Sequence, residues 1–310
     1  MAAPLFERLT IIGCGLIGSS IARAARRQNI AGEVVVTDLS DLVCKRAAAL
    51  NLADRITADI AEGVAGADLV IFAVPVLAMA DVMAAAAAHL RPGAIITDVG
   101  SVKGSVTDAL TATAPSDVFV IPGHPIAGTE HSGPDAGFAE LFEGRWTILT
   151  PLANGGPDYA EAVARLTAFW LALGAQVEVM DAPHHDLVLA VTSHLPHLIA
   201  YNIVGTAADL EGVTEGEVMK YAAGGFRDFT RIAASDPTMW RDIFVANKDA
   251  VLEVLGRFTE DLQALQRAIR WGEADKLHDL FSRTREIRRG VIDLGQDSPE
   301  SNFGRDRGRH

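Results

Sequence analysis

At 310 residues, 49% of them hydrophobic, the chain is long enough to bury one large core or two medium ones, and two domains are expected. Acidic residues outnumber basic ones by 40 to 27, a formal net charge of −13, which argues against nucleic acid or an anionic membrane surface as a main partner. Two cysteines, Cys14 and Cys44, support neither a disulfide framework nor a cysteine metal site; with no signal-like start and no run of about 18 uncharged apolar residues, a soluble cytoplasmic protein is expected.

Over the first 180 residues, short apolar runs alternate with helical stretches. The runs Leu9–Ile12, Val34–Thr37, Leu69–Val74, Ala94–Val99 and Val118–Ile121, with weaker ones at Trp146–Leu149 and Val177–Met180, predict a mainly parallel sheet with helices on both faces. This is an α/β fold class, a Rossmann-like doubly wound sheet over residues 1–180. Strand signals stop after Met180, so residues 181–295 read as an all-α C-terminal domain. The polar ending GQDSPESNFGRDRGRH predicts a flexible tail over 296–310.

The first strand runs into IIGCGLIGSS, where Gly13, Gly15 and Gly18 make G-x-G-x-x-G ahead of a helix. Gly13 permits the tight turn, Gly15 lets the backbone approach a pyrophosphate, and Gly18 allows helix to pack closely on strand. Leu16 and Ile17 lie inside the motif, at the helix start that would receive the pyrophosphate. The second strand ends in Asp38, 20 residues beyond Gly18, where a carboxylate accepts hydrogen bonds from the adenosine ribose and disfavours a 2′-phosphate. The cofactor is therefore read as NAD. The stretch AVP, with Val74 and Pro75, and the stretch TDVGSVKGSV each close an apolar strand and point into the crevice of the glycine loop. Ser101 can donate to and accept from a substrate hydroxyl or a base, while Lys103 is either a source of local positive charge or a solvated lysine.

GHPIAGTE, from Gly123 to Glu130, follows the next strand. Proline disfavours the helical conformation in the residue before it, so His124 is held extended at a strand end. An imidazole there, with an ordinary pKa of about 6.5, can take a proton at neutral pH. In the helical part, His184 and His185 lie nine or more residues from His194 and His197, roughly 13 Å along a helix, so the four share no ion and no metal is expected. His194 and His197 in SHLPH share a helix face, and Pro196 between them predicts a kink in a cleft-lining segment. His185 and Asp186 in HHD are assigned to the domain junction. Beyond ASDPTMW, with Asp236 as cap and Pro237 as first helical residue, Val251, Leu255, Phe258, Leu262, Leu265 and Ile269 form a 4-3-4-3-4 seam. Such a seam is buried within the chain or across a dimer.

Together GCGLIGSS, DVGSVK, GHPIAGTEHSG, HHDLVLAVTSHLPH and GFRDFTR, in this order across about residues 9 to 295, resemble the prephenate and arogenate dehydrogenases, also called cyclohexadienyl dehydrogenases. The resemblance implies NAD(P)-dependent oxidative decarboxylation in tyrosine biosynthesis, giving 4-hydroxyphenylpyruvate from prephenate or tyrosine from arogenate. It also implies a homodimer through the helical domain. By this resemblance His124 is the catalytic base that accepts the proton of the ring C4 hydroxyl as hydride leaves C4 for the nicotinamide, and Ser101 bonds that hydroxyl and orients the base. Arg227 of GFRD grips a substrate carboxylate, His194 contacts the substrate, and Glu130 tunes access or charge. His197 joins the substrate set from its place beside His194; His131 and Arg231 stand between a site role and a structural one. A β-hydroxyacid or imine-reducing dehydrogenase, or an NAD-binding redox sensor, would share the glycine loop but has no need of GHPIAGTE with SHLPH and GFRD.

Overall fold

Apolar runs buried on both faces make the main sheet, as parallel strands covered by helices require. In the computed structural model, six strands, β1 (Phe6–Ile12), β2 (Ala31–Thr37), β3 (Arg55–Thr57), β4 (Leu69–Phe72), β5 (Ile95–Asp98) and β6 (Phe119–Val120), pair in parallel in the order β3-β2-β1-β4-β5-β6. The structure describes residues 3–129, 131–153, 156–211 and 224–293. Between the strands run α1 (Leu16–Arg27), α2 (Asp41–Ala49), α3 (Ile60–Val64), α4 (Met79–Ala86) and α5 (Gly104–Thr111). Alternate side chains sort the core into two layers. Leu9, Ile11, Leu69 and Ile71 pack with Ile21 of α1 and with Phe169 and Trp170 of α6 (Pro157–Ala172), whereas Val70, Phe72 and Ile96 pack with Met79, Met83, Val106 and Leu110. The strand order reverses between β1 and β4, and a doubly wound sheet leaves its crevice outside the carboxyl ends of those strands.

The last strands depart from the expectation of one sheet. Gly123–Pro125 form a separate strand, β7, antiparallel to β8 (Trp146–Leu149), which pairs in parallel with β9 (Gln176–Val179). After Ile121, whose N–H bonds the Ile96 carbonyl at 2.8 Å, the next N–H facing β5 is that of Gly123, and it goes to the Asp98 carboxylate instead of a strand carbonyl, so the chain leaves the main sheet and restarts in another. His124 thus lies within β7, opposite Ile148, rather than at the end of a main-sheet strand. Strands β3 and β7, three residues each, are too short to carry a sequence alternation.

The helical part begins with α7 (Ala182–Leu189), capped by Asp181 through the His184 N–H at 2.8 Å. It passes through a π-helical turn at Ala190–His194 into α8 (Leu195–Glu211); the irregularity expected at Pro196 thus falls in the turn just before it. Then come α9 (Gly224–Thr230) and α10 (Pro237–Ala246), the latter capped by Asp236 as expected. Contacts divide the chain into the units Met1–Leu252 and Glu253–His310, later than the expected change at residue 181. The reason is packing: Asp186 of α7 accepts the N–H groups of Lys103 and Gly104 at 2.7 and 2.8 Å, and Val102 packs against Trp240 and Ile243 of α10. The stretch Ala182–Leu210 is apolar and long enough to cross a bilayer by composition alone, yet it carries the buried His185, Asp186 and His194 that join the first unit's polar network. The second unit, described to residue 293, contains most of α11 (Lys248–Trp271), a turn at Gly272 with φ +67°, and α12 (Ala274–Asp293). Of the expected seam, Val251 is buried while Leu262 and Ile269 are exposed; Trp271, Phe281 and Ile287 are exposed as well.

Lys103 is neither solvated nor free to face a ligand. It is fully buried, its Nζ donating to Asp98 and, at 2.6 Å, to the carbonyl of Gly123. Asp98 in turn accepts the N–H of Gly100 at 2.7 Å and of Gly123 at 3.1 Å. Burial pulls both partners toward neutrality, raising Asp98 and lowering Lys103, while their mutual attraction opposes it. Removing one partner strands the other charge in the core. Lys103→Ala is expected to lower unfolding free energy by about 3–5 kcal/mol, read from urea titration, and Lys103→Ala with Asp98→Asn to recover part of that loss.

Candidate active site

The glycine loop has the three distinct constraints that its spacing implies. Gly13 has φ +96°, and a Cβ there would lie 2.3 Å from the carbonyl oxygen of Ala73 at the end of β4. A Cβ on Gly18 would lie 2.0 Å from the carbonyl oxygen of Gly13. Gly15, by contrast, faces open space, with nothing within 4 Å of its Cβ position. It is the N-cap of α1, a helix with no side-chain cap and no acid in its first turn, so its leading N–H groups are available to an anion. Leu16 and Ile17 turn their side chains into the core and offer the backbone alone. Beside this loop a cavity of about 320 Å³ is lined by Gly13, Gly15, Asp38, Ala73, Val74 and Pro75. Asp38 holds the loop in place, accepting the Cys14 N–H and the Ser40 N–H at 2.9 Å each. Burial, with Asp38 nearby, pushes the Cys14 thiol up to about 12, so Cys14 packs and does not react. A pocket that has an acid at its rim, open backbone at Gly15 and an uncapped helix start fits an adenosine ribose and a pyrophosphate, and so a dinucleotide.

One strand over, the backbone of Gly123 is clamped at both its N–H and its carbonyl by Asp98 and Lys103, and the next residue is His124. His124 is buried, and its Nδ1 lies 2.9 Å from Nε2 of His185, whose Nδ1 lies 2.8 Å from Oδ1 of Asp186. His185 thus occupies Nδ1 of His124, and Ser101 is half-buried in the β5–α5 loop. Burial, reinforced by His185, Lys103 and His194, holds His124 well below the ordinary histidine value. His185 is lowered by burial too. At Asp186 burial pushes upward, but hydrogen bonds from His185, Lys103 and Gly104 more than reverse it and leave the carboxyl below its ordinary range.

The helices supply a second wall. His194 is fully buried; its Nδ1 meets Asn247 Nδ2 at 3.1 Å, and Asn247 also donates to the Asp186 carbonyl at 2.9 Å. Burial lowers His194 to about 4. Because the Asn247 amide donates to Nδ1, the proton of neutral His194 sits on Nε2, which is buried and faces the backbone of Ser101. His197 stacks on Trp240 at 3.7 Å between ring centroids and binds the Ser193 carbonyl through Nδ1 at 2.8 Å. Arg227 and Arg231 are exposed, on α9 and on the turn that follows it. His131 is exposed, its N–H bonded to Thr129 Oγ1 at 3.2 Å, and Glu130 lies outside the described residues. Among the described residues no group of three or more His, Cys, Asp or Glu side chains could hold a metal. Sequence reasoning missed the place of four residues. The HHD doublet marked His185 and Asp186 but not the contact of His185 with His124, while Trp240 and Asn247 carry no local signal at all.

Residues 21–179 match the family described as prephenate dehydrogenase, nucleotide-binding domain, and residues 181–283 that described as prephenate dehydrogenase, dimerization domain. The chain is 46% identical over 284 residues to the cyclohexadienyl dehydrogenase of Zymomonas mobilis, covering 92% of this chain and 96% of the relative. It is similar to the crystal structure of prephenate dehydrogenase from Aquifex aeolicus in complex with hydroxyphenyl propionate and NAD+, with 32% identity, TM-score 0.83, and coverage of 95% of this chain and 99% of that one. Synechocystis arogenate dehydrogenase is 26% identical, TM-score 0.77, over 92% of this chain and 99% of that chain.

Two outcomes are expected. Gly15→Ala should fold normally and bind NAD about tenfold or more weakly, whereas Gly13→Ala should lower the melting temperature before any binding is measured; thermal scans and cofactor titration separate them. His124, His185 and His194 have folded-state values below the ordinary one, so the unfolded chain takes up protons that the fold refuses. Their stability contribution is complete above about pH 6.5 and is lost as pH falls toward about 4, where His194 titrates; urea midpoints at successive pH values should decline over that window.

Proposed function

The chain belongs to the prephenate dehydrogenase family, and from this we propose a specific assignment of its reaction to residues. It is an NAD-dependent dehydrogenase of tyrosine biosynthesis that oxidatively decarboxylates a cyclohexadienyl acid: prephenate to 4-hydroxyphenylpyruvate and arogenate to tyrosine. Both ring substrates are assigned to the one site, in keeping with the cyclohexadienyl dehydrogenase to which the chain is 46% identical.

The observation that carries the assignment of the base is a buried, neutral imidazole, His124, next to a Gly123 whose N–H is held by Asp98 at the carboxyl end of β5. When bound, NAD supplies the acceptor for the hydride that leaves ring C4. His124 takes the proton of the C4 hydroxyl through Nε2 as that carbon becomes a carbonyl. The ring carbonyl then draws the electrons of the bond to the departing carboxylate, carbon dioxide leaves, and the ring becomes aromatic with charge on its oxygen. The proton held by His124 returns to that oxygen, so the balance needs no net proton. Its lowered pKa leaves His124 neutral, and so able to accept that proton, at neutral pH. Ser101 is assigned to the C4 hydroxyl. His194, which faces the backbone of Ser101, is assigned to the substrate wall, with His197 stacked on Trp240 beside it. Arg227 keeps its assignment to a carboxylate and Glu130 to access or charge. Asp38 is assigned to the ribose and to the preference for NAD.

Residues 181–295 are assigned as the substrate and dimerisation domain, and a homodimer acting in the cytoplasm is part of the same reading. Its support is the match of residues 181–283 to a dimerization domain, with Leu262, Ile269 and Trp271 exposed in the second unit.

NADH absorbance with NAD and either prephenate or arogenate tests the reaction; turnover of both is expected, and silence with both would overturn it. His124→Ala is expected to lower kcat by about 10²–10⁴ with little change in NAD affinity. NADP should support turnover at least about tenfold less well than NAD in kcat/KM.

A further inference from the structure

We propose that His185 and Asp186 are positioning residues that fix the tautomer of His124 and share the charge it acquires, an Asp–His–His relay reaching from the N-terminus of α5 to the reacting proton. The proposal rests on the assignment of His124 as base.

The argument starts at Asp186. Its Oδ1 accepts the Lys103 N–H at 2.7 Å and its Oδ2 the Gly104 N–H at 2.8 Å, both at the start of α5 (Gly104–Thr111). Both backbone groups can only donate, so both carboxyl oxygens act as acceptors, and the helix end favours the ionised form. An ionised carboxylate cannot donate, so the contact between His185 Nδ1 and Oδ1 at 2.8 Å requires the proton on Nδ1 of His185. Neutral His185 then carries a lone pair on Nε2. That nitrogen lies 2.9 Å from Nδ1 of His124, so His124 must place its own proton on Nδ1. Nε2 of His124 is left unprotonated, which is the state a base needs. The chain of acceptors thus sets, three residues away, which nitrogen of His124 reacts.

The same chain acts when the proton arrives. His124 then bears a proton on each nitrogen and one positive charge, and its Nδ1–H points at His185 and, through it, at the Asp186 anion. No bond need break in His185 or Asp186 for that charge to be stabilised. The other charged or titratable groups facing the pair are Lys103, Asp98 and His194. Lys103 is neutralised by its partner Asp98, and His194 is neutral. Asp186 is therefore the anion aligned with the relay.

The full-length protein carrying His185→Leu, His185→Gln and Asp186→Asn tests this. Nitrogen-15 NMR of the histidine rings in the absence of substrate reports the tautomer directly and does not depend on turnover. Wild type is expected to show His124 protonated on Nδ1 alone, and His185→Leu to lose that single form. In kinetics, His185→Leu should lower kcat about a hundredfold or more with substrate KM held within about threefold. A glutamine carbonyl can still accept from Nδ1, so His185→Gln should restore the tautomer and at least about a tenfold part of kcat. Asp186→Asn removes the anion, which should lower the kcat plateau and move its acid limb to lower pH. If His185→Leu fails to fold, as judged by circular dichroism, the glutamine variant's tautomer and the asparagine variant's pH profile decide. The relay is overturned by an unchanged His124 tautomer with kcat within about threefold of wild type in His185→Leu, by a Gln variant no better than Leu, or by an unmoved acid limb. Wild-type protein inactive on both substrates, with the Nδ1–H tautomer intact, would instead sink the assignment of the base.

Discussion

The buried carboxylate of Asp98 is the contact on which the site is hung. It ends β5, accepts the N–H groups of Gly100 and Gly123, and is paired with the fully buried Lys103, which returns to the carbonyl of Gly123. Both backbone hydrogen-bonding groups of one residue are thereby held by an ion pair that water does not reach. A hydrogen bond to a charged group in a low-dielectric interior is stronger and stiffer than one at a surface. The residue so fixed is followed by His124, so the backbone position of His124 is set by this anchoring. The cost is two charges brought out of water, tolerable because each is satisfied on several sides.

A second buried carboxylate, Asp186, repeats the logic from the opposite direction. It ties α7 to the first turn of α5 and presents the remaining capacity of one oxygen to His185. Together the two acids grip the loop from Asp98 to Gly104 from its two sides, which explains why α7, α8 and α10 belong with the sheet rather than with the last helices. Histidines in this setting stay neutral because burial disfavours their charged form.

The cofactor crevice obeys simpler constraints. Two of its glycines are required by close approach of backbone to backbone, at Ala73 and within the loop itself, while the third is required by what the pocket must admit. Asp38 has a structural task beside the recognition role proposed for it, since it accepts the Cys14 N–H and so shapes the loop beside the pocket it lines. Changing it for cofactor preference would disturb both.

Much of this was legible in the sequence. Apolar runs at strand length, the glycine spacing, the acid after the second strand and the helix start at Asp236 and Pro237 are local codes, because each depends on residues a few positions apart. The motif around His124 singled that histidine out for the same reason. What stayed hidden depends on residues far apart in the chain. The second sheet arises from pairing between β7 and β8 of residues 22 to 26 positions apart, and three-residue strands carry no periodicity of their own. Lys103 looked like a surface lysine until Asp98 and Gly123 enclosed it. His185 and Asp186 read as a junction, and they are one; only the fold brings His185, 61 residues along the chain, within 2.9 Å of His124. The sequence by itself determined which elements form and which residue types the chemistry requires. The tertiary structure alone decided which nitrogen meets which acceptor, because hydrogen bonding is set by distance and direction in space, and neither is encoded in neighbouring residues.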